Sequence, residues 1–137
     1  PEHLCLISDS GLIAGDMVAG IGTILIPPGQ GDMMTYIEQL ERLLDLDPHL
    51  IFPSHGPVIP LPSRTLEHYI RHRSIRHDKV LAAVEEGNSE LGLIAKIAYQ
   101  DTPDAHPGLA VDQTLSHLLS HEKDGKVMRV DGGWVRT

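Results

Sequence analysis

Short apolar runs broken by glycine-bearing turns fill the first third of the chain. Longer apolar stripes at helical spacing follow. Residues 4–7 and 12–14 predict two short strands joined by the turn Ser8-Asp9-Ser10-Gly11. Residues 21–26 are apolar and β-branched, but Gly20, Gly22 and Pro27-Pro28 flank or interrupt them, which predicts an irregular loop or a short edge strand. Met33, Tyr36, Ile37, Leu40, Leu43 and Leu44 then recur on one helical face, with Asp32 placed as N-cap and Pro48 closing the segment. Residues 50–52 read as a buried strand. Strand, helix, strand is half of a layered α/β unit.

Pro57, Pro60 and Pro62 mark a boundary, which divides the chain into residues 1–62 and 63–137. Beyond it, Ser63 is the expected cap of a long helix with Leu66, Tyr69, Ile70, Val80, Leu81 and Val84 on one face and Gly87 as its stop. Ser89 is the expected cap of a second helix through Leu91, Ile94, Ile97 and Ala98, broken by Asp101-Thr102-Pro103. A third helix carries Ala110, Val111, Thr114, Leu115, Leu118 and Leu119. Residues 126–130 and 134–136 flank Asp131-Gly132-Gly133, a hairpin signal. Three helices and a β-hairpin form the winged-helix order, an α+β arrangement.

Composition narrows the class. The 137 residues are 41% hydrophobic and 22% charged, which is ordinary for a soluble globular protein. No apolar run approaches the ~18 residues of a membrane span, and no signal peptide is visible. The first residue is Pro1 rather than Met, which predicts a fragment or a processed product. Cys5 is the one cysteine; it excludes an intrachain disulfide, reads as a buried strand residue and fits a reducing, cytoplasmic setting. The charge is uneven. Residues 1–63 set eight acids against Arg42 alone, a net −7, while the remainder carries −1 of the total −8. Such a split predicts two units with different surfaces.

Two positions stand out chemically. One apolar run, Leu12-Ile13-Ala14, ends in Gly15-Asp16, and another, Leu50-Ile51-Phe52, ends in Ser54-His55-Gly56. Strand-then-ligand is how a sheet delivers metal-binding groups to its edge, and a carboxylate and an imidazole are donors that suit zinc. Taken alone, Asp16 reads rather as a residue capping a turn and His55 as a hydrogen-bonded loop histidine; the metal reading gains from the pair, because both follow apolar strands. The histidine pairs His68/His72 and His117/His121 have the four-residue spacing of a zinc motif but no adjoining catalytic Glu, so they read as surface or partly buried histidines. Arg71, Arg73, Arg76 and Lys79 alternate with acids and read as a solvated face. No Ser-His-Asp signature, phosphate loop or cysteine pair is present.

The segments Pro1-Glu2-His3-Leu4, Ala14-Gly15-Asp16 and Phe52-Pro53-Ser54-His55-Gly56-Pro57-Val58-Ile59 resemble the second half of a metallo-β-lactamase-fold hydrolase, an αββα fold. The branch they are most similar to is the beta-lactamase-like protein 2 group, which carries a C-terminal winged-helix domain; residues 97–103 and 115–129 look like that domain. The resemblance implies a site with two zinc ions, in which a residue matching Asp16 bridges both metals and one matching His55 binds the second. It further implies attack by a metal-bound hydroxide on single-stranded RNA or on a small ester or thioester. The family's His-x-His-x-Asp-His motif is absent from these residues, and His3 matches a non-ligand position. The expectation is therefore a C-terminal fragment, inactive alone, whose partner is the missing N-terminal half of the same fold, with self-association as a further expectation.

The competing reading is a nucleic-acid-binding or structural winged helix. A major-groove helix needs exposed Arg, Lys or Asn, whereas residues 110–120 contain no Lys or Arg. An accessory role is favoured, with Lys123, Lys126, Arg129 and Arg136 available to guide a single strand.

Overall fold

A computed structural model describes residues 3–137. The elements run β1 (Leu6–Ser8), β2 (Gly11–Gly15), α1 (Met33–Asp45), β3 (Ile51–Pro53), α2 (Pro62–Glu85), α3 (Leu91–Ala98), α4 (Pro107–Lys123), β4 (Val127–Val130) and β5 (Gly133–Arg136). The chain divides into two compact units. One takes the described residues up to Leu25 together with Thr35–Arg73; the other takes Ile26–Met34 and Ser74–Thr137. No helix among the described residues is long and apolar enough to cross a membrane.

The first unit holds a three-stranded sheet in the order β1-β2-β3. β1 and β2 pair antiparallel about a two-residue turn, and β2 and β3 pair parallel with a register shift between Ile13 and Gly15. The parallel pair follows from the intervening α1, since a parallel connection needs a crossover. Alternation along β2 buries Leu12 and Ala14 and leaves Ile13 52% exposed. β1 is exposed throughout, with Leu6 and Ile7 open to solvent. Cys5 is therefore not the buried strand residue expected. It precedes β1, is half-buried, and its thiol meets the Ala14 carbonyl at 3.7 Å. Residues 21–26 form a loop.

The second unit closes a core of Val80, Ala83, Val84, Ile94, Ala98, Leu118, Val127 and Trp134. Ser63 does not cap α2, because the helix already begins at Pro62, whose missing N–H costs nothing at a helix start. Ser89 does not cap α3 either. Glu90 does, accepting from the Gly92 and Leu93 amides, while the Ser89 carbonyl accepts the Trp134 N–H at 2.9 Å. That bond draws β5 so close that any Cβ on Gly133 would collide with Ser89. Asp131 and Gly132 form the hairpin turn, Gly132 at φ 86°.

Several polar residues sit where the sequence pattern did not put them. His117 and His121 are fully buried, not surface histidines, and His77 joins them. The rings of His77 and His121 stack at 3.6 Å between centroids, and His77 Nδ1 lies 3.1 Å from His117 Nδ1. Arg73 and Arg76 are buried as well, so the basic run is not a solvated face. Arg76 bonds the Ala98 carbonyl and Asp101 and stacks over Tyr99. Arg73 bonds Thr23 and the Ile24 carbonyl and lies over Tyr36. Each guanidinium is long enough to bury its stem while its head replaces lost water with fixed acceptors.

Candidate metal-binding site

Two strand ends build the site. β2 closes at Gly15, whose φ of 55° turns the chain so that Asp16 leaves the sheet edge, and the Met17 amide donates back to the Ala14 carbonyl. His3 bonds that same carbonyl through Nε2 at 2.9 Å, and its ring occupies the space a Cβ on Gly15 would need. His3 is thus committed to the backbone. β3 closes at Pro53; the Ser54 amide donates to the Gly15 carbonyl at 3.0 Å, and His55 follows.

The outcome is convergence. Asp16 Oδ1 and His55 Nε2 lie 3.3 Å apart, with side chains 58% and 72% exposed. The two sequence-singled residues therefore share one place at the sheet edge. Donor atoms on adjacent corners of a tetrahedral zinc, each ~2.0–2.1 Å from the metal, stand roughly 3.3 Å apart, so the pair fits two corners of such a site. It fills no more than two. Among the described residues no group of three or more His, Cys, Asp and Glu is arranged to hold a metal.

A clamp of backbone holds the two loops. The Gly20 amide donates to the His55 carbonyl at 2.8 Å. A Cβ on Gly20 would strike Pro57, and one on Gly56 would come within 2.8 Å of the Ile21 nitrogen. Beside the site lies a shallow hollow of about 400 Å³, lined by Ile13, Phe52 and Pro53 with Ser8, Ser10 and Ser54.

Sequence reasoning missed the residues around the loop that follows Asp16. The Tyr36 hydroxyl donates to the Met17 carbonyl at 2.9 Å; the Tyr69 hydroxyl accepts from the Ala19 amide and reaches the Gly22 carbonyl at 3.0 Å. Burial holds the Tyr36 phenol above its ordinary range, partly offset by Arg73, so it stays a donor. The signal was present: a tyrosine on an apolar stripe must find a partner for its hydroxyl once buried.

Known proteins give this geometry its context. No family model matches the chain. It is 35% identical over 130 residues to the beta-lactamase-like protein 2 homolog of Drosophila melanogaster, covering 92% of this chain and 43% of that protein. The chain is a homologue of the lactamase-like proteins. It is also 22% identical over 130 residues to the atrochrysone carboxyl ACP thioesterase AgnL7 of Paecilomyces divaricatus, covering 93% of this chain and 40% of that protein. Among solved structures, a beta-lactamase domain protein from Burkholderia ambifaria superposes with a TM-score of 0.76 at 23% identity, over 92% of this chain and 41% of the other. A metallo-beta-lactamase family protein from Thermus thermophilus gives 0.71 at 19% identity, over 92% and 42%. The fold is that of metallo-β-lactamase proteins. The chain spans about two-fifths of the length of these two relatives.

Proposed function

We propose that this chain carries part of the catalytic site of a zinc-dependent hydrolase acting on esters or thioesters. The observation that carries this reading is the meeting of Asp16 and His55 at the ends of two strands, 3.3 Å apart and open to solvent. Asp16 and His55 would hold zinc there, Asp16 as a carboxylate able to bridge two ions. Bound zinc activates water and stabilises negative charge on a substrate oxygen. The chain's own contribution is position. The Gly15 turn aims the carboxylate, the Gly20–His55 bond fixes the imidazole loop, and His3 braces the strand end from which Asp16 follows.

Two donors would leave a zinc ion unsaturated, so on this reading the missing N-terminal half of the same fold would supply the remaining ligands. The open sheet face of Leu6 and Ile13 is suited to receive such a partner. Residues 63–137 are read as a winged-helix accessory domain. A polyanionic substrate such as RNA needs available cations. In this unit Lys123 pairs with Asp32, Lys126 with Asp124 and Arg136 with Glu85, while Arg129 lies over Trp134. That pairing, the net charge of −8 and the thioesterase among the relatives favour an acyl substrate.

The test uses the complete protein with acyl thioesters, simple esters and single-stranded RNA. Asp16→Ala should abolish zinc-dependent hydrolysis, and His55→Ala should reduce it by at least about 100-fold. Near-normal turnover of every substrate by the Asp16→Ala protein refutes the site; RNA cleavage without thioester cleavage refutes the substrate class. The 137-residue chain alone should lose zinc on dialysis, which elemental analysis checks directly.

A further inference from the structure

The loop carrying Asp16 has little regular backbone structure of its own. Between residues 17 and 24 the Met17 amide bonds the Ala14 carbonyl and the Gly20 amide bonds the His55 carbonyl. A pair of buried phenols adds to the hold. Tyr36 takes the Met17 carbonyl, one residue beyond Asp16. Tyr69 takes the Ala19 amide and the Gly22 carbonyl, on either side of Gly20. Both tyrosines are 7% exposed, so water does not substitute for either hydroxyl at low cost. Gly20 in turn is the residue whose amide grips the His55 carbonyl. The chain of contact therefore runs from the Tyr69 hydroxyl through the Ala19–Gly22 turn to the backbone of His55, and from the Tyr36 hydroxyl to the backbone next to Asp16.

We propose that Tyr69, assisted by Tyr36, is a positioning residue for the Asp16–His55 site, setting the distance between the two ligands through the Gly20 clamp. This rests on the reading of Asp16 and His55 as metal ligands. Each phenol fixes the loop that presents them through its backbone, as outer-shell groups fix metal ligands elsewhere. Arg73 closes the far end of the same loop at Thr23 and Ile24, so the loop is held at both ends and in the middle.

The experiment has two readouts. In the 137-residue chain, amide hydrogen exchange is followed at Gly20, with Leu12, whose amide bonds the Leu50 carbonyl in the same unit, as internal reference. Tyr69→Phe keeps the ring and removes the hydroxyl. Gly20 exchange should accelerate at least about tenfold while Leu12 stays at its original rate. In the complete protein, zinc affinity is measured by competition with a chelator. Tyr69→Phe should weaken it about 10- to 100-fold, Tyr36→Phe should weaken it in the same direction, and Asp16→Asn serves as the reference loss. Equal acceleration at Gly20 and Leu12 would mean that Tyr69 only supports the core, and would overturn the proposal. So would unchanged Gly20 exchange and unchanged zinc affinity, even with Asp16→Asn impaired. If Asp16→Asn binds zinc normally, the site reading itself fails and takes the proposal with it, whatever the exchange rates are.

Discussion

At the scale of single residues, the tightest constraint is where backbone meets backbone. Gly20 and Gly56 face each other across the two loops with no room for a Cβ. Gly20→Ala would push directly against Pro57, whose backbone cannot rotate away as a side chain would. The variant should lose about 1–3 kcal/mol of stability by urea unfolding, as expected of overpacking. In the complete protein it should lose zinc affinity as well. A Gly20→Ala chain with unchanged urea midpoint would mean that the loops part freely. That Asp16 and His55 come together at the sheet edge was legible because each stands just past an apolar run. Tyr36, Tyr69, Arg73 and Arg76 were not. On a stripe, a tyrosine reads as apolar and an arginine as solvated, and only the fold reveals that a carbonyl waits for each. The same holds for His3, whose partner is the backbone of a strand eleven residues on.

At the scale of elements, α4 departs most from its pattern. Its buried side carries Gln113, Ser116, His117, Ser120 and His121 beside Leu118. Gln113 answers both backbone groups of Ile26, giving its amide N–H to the carbonyl and its oxygen to the N–H, and Ser116 adds a second bond to that carbonyl. Such a face looks solvent-exposed by hydropathy, which is why it could be weighed as a groove-reading surface. It is occupied internally. Gln113→Leu should strand the Ile26 N–H and cost about 1–3 kcal/mol in thermal or urea unfolding; a neutral result would contradict the bond. The stacked histidines make the same element acid-sensitive. Burial, followed by the charge of His121, pushes His77 down to about 4, and burial likewise lowers His121. The His77–His117 bond needs one Nδ1 with a proton and one without. The unfolded chain therefore takes up protons before the folded one does. Stability is complete above the ordinary histidine value of 6.5 and falls as the pH drops from 6.5 toward 4. The slope is up to about 1.4 kcal/mol per pH unit for each such group. Urea titrations at neutral and mildly acidic pH measure it, and His121→Phe should flatten it. Helix count and the hairpin turn were readable from apolar spacing and Asp-Gly. The capping residues were not: α2 begins at Pro62 and takes Ser63 inside the helix, and Glu90 caps α3 in place of Ser89.

At the scale of the whole molecule, Leu6 and Ile13 form an exposed cross-strand pair on an edge hairpin. An exposed apolar patch on a sheet face is a surface that a second chain can cover. The isolated 137-residue chain should therefore associate with itself as concentration rises. The double variant Leu6→Lys, Ile13→Lys should remain monomeric in sedimentation velocity; association unchanged by the lysines would place the contact elsewhere. Neither the prolines at 57–62 nor the change in charge balance shows the way the chain weaves between its two compact units. Ile26–Met34 belongs with Ser74–Thr137, although Thr35–Arg73 lies between. That interleaving has a consequence for synthesis. The Gln113 partner of Ile26 is made 87 residues after it. At roughly 5–20 residues per second, the ribosome leaves this proline-flanked segment waiting for several seconds before its helix exists. Stalled nascent chains ending before residue 113 should hold Ile26 open to a protease or a chaperone, and chains released after residue 123 should close it. The order in which the peptide emerges, and not only its final contacts, thus decides how long that backbone goes unpaired.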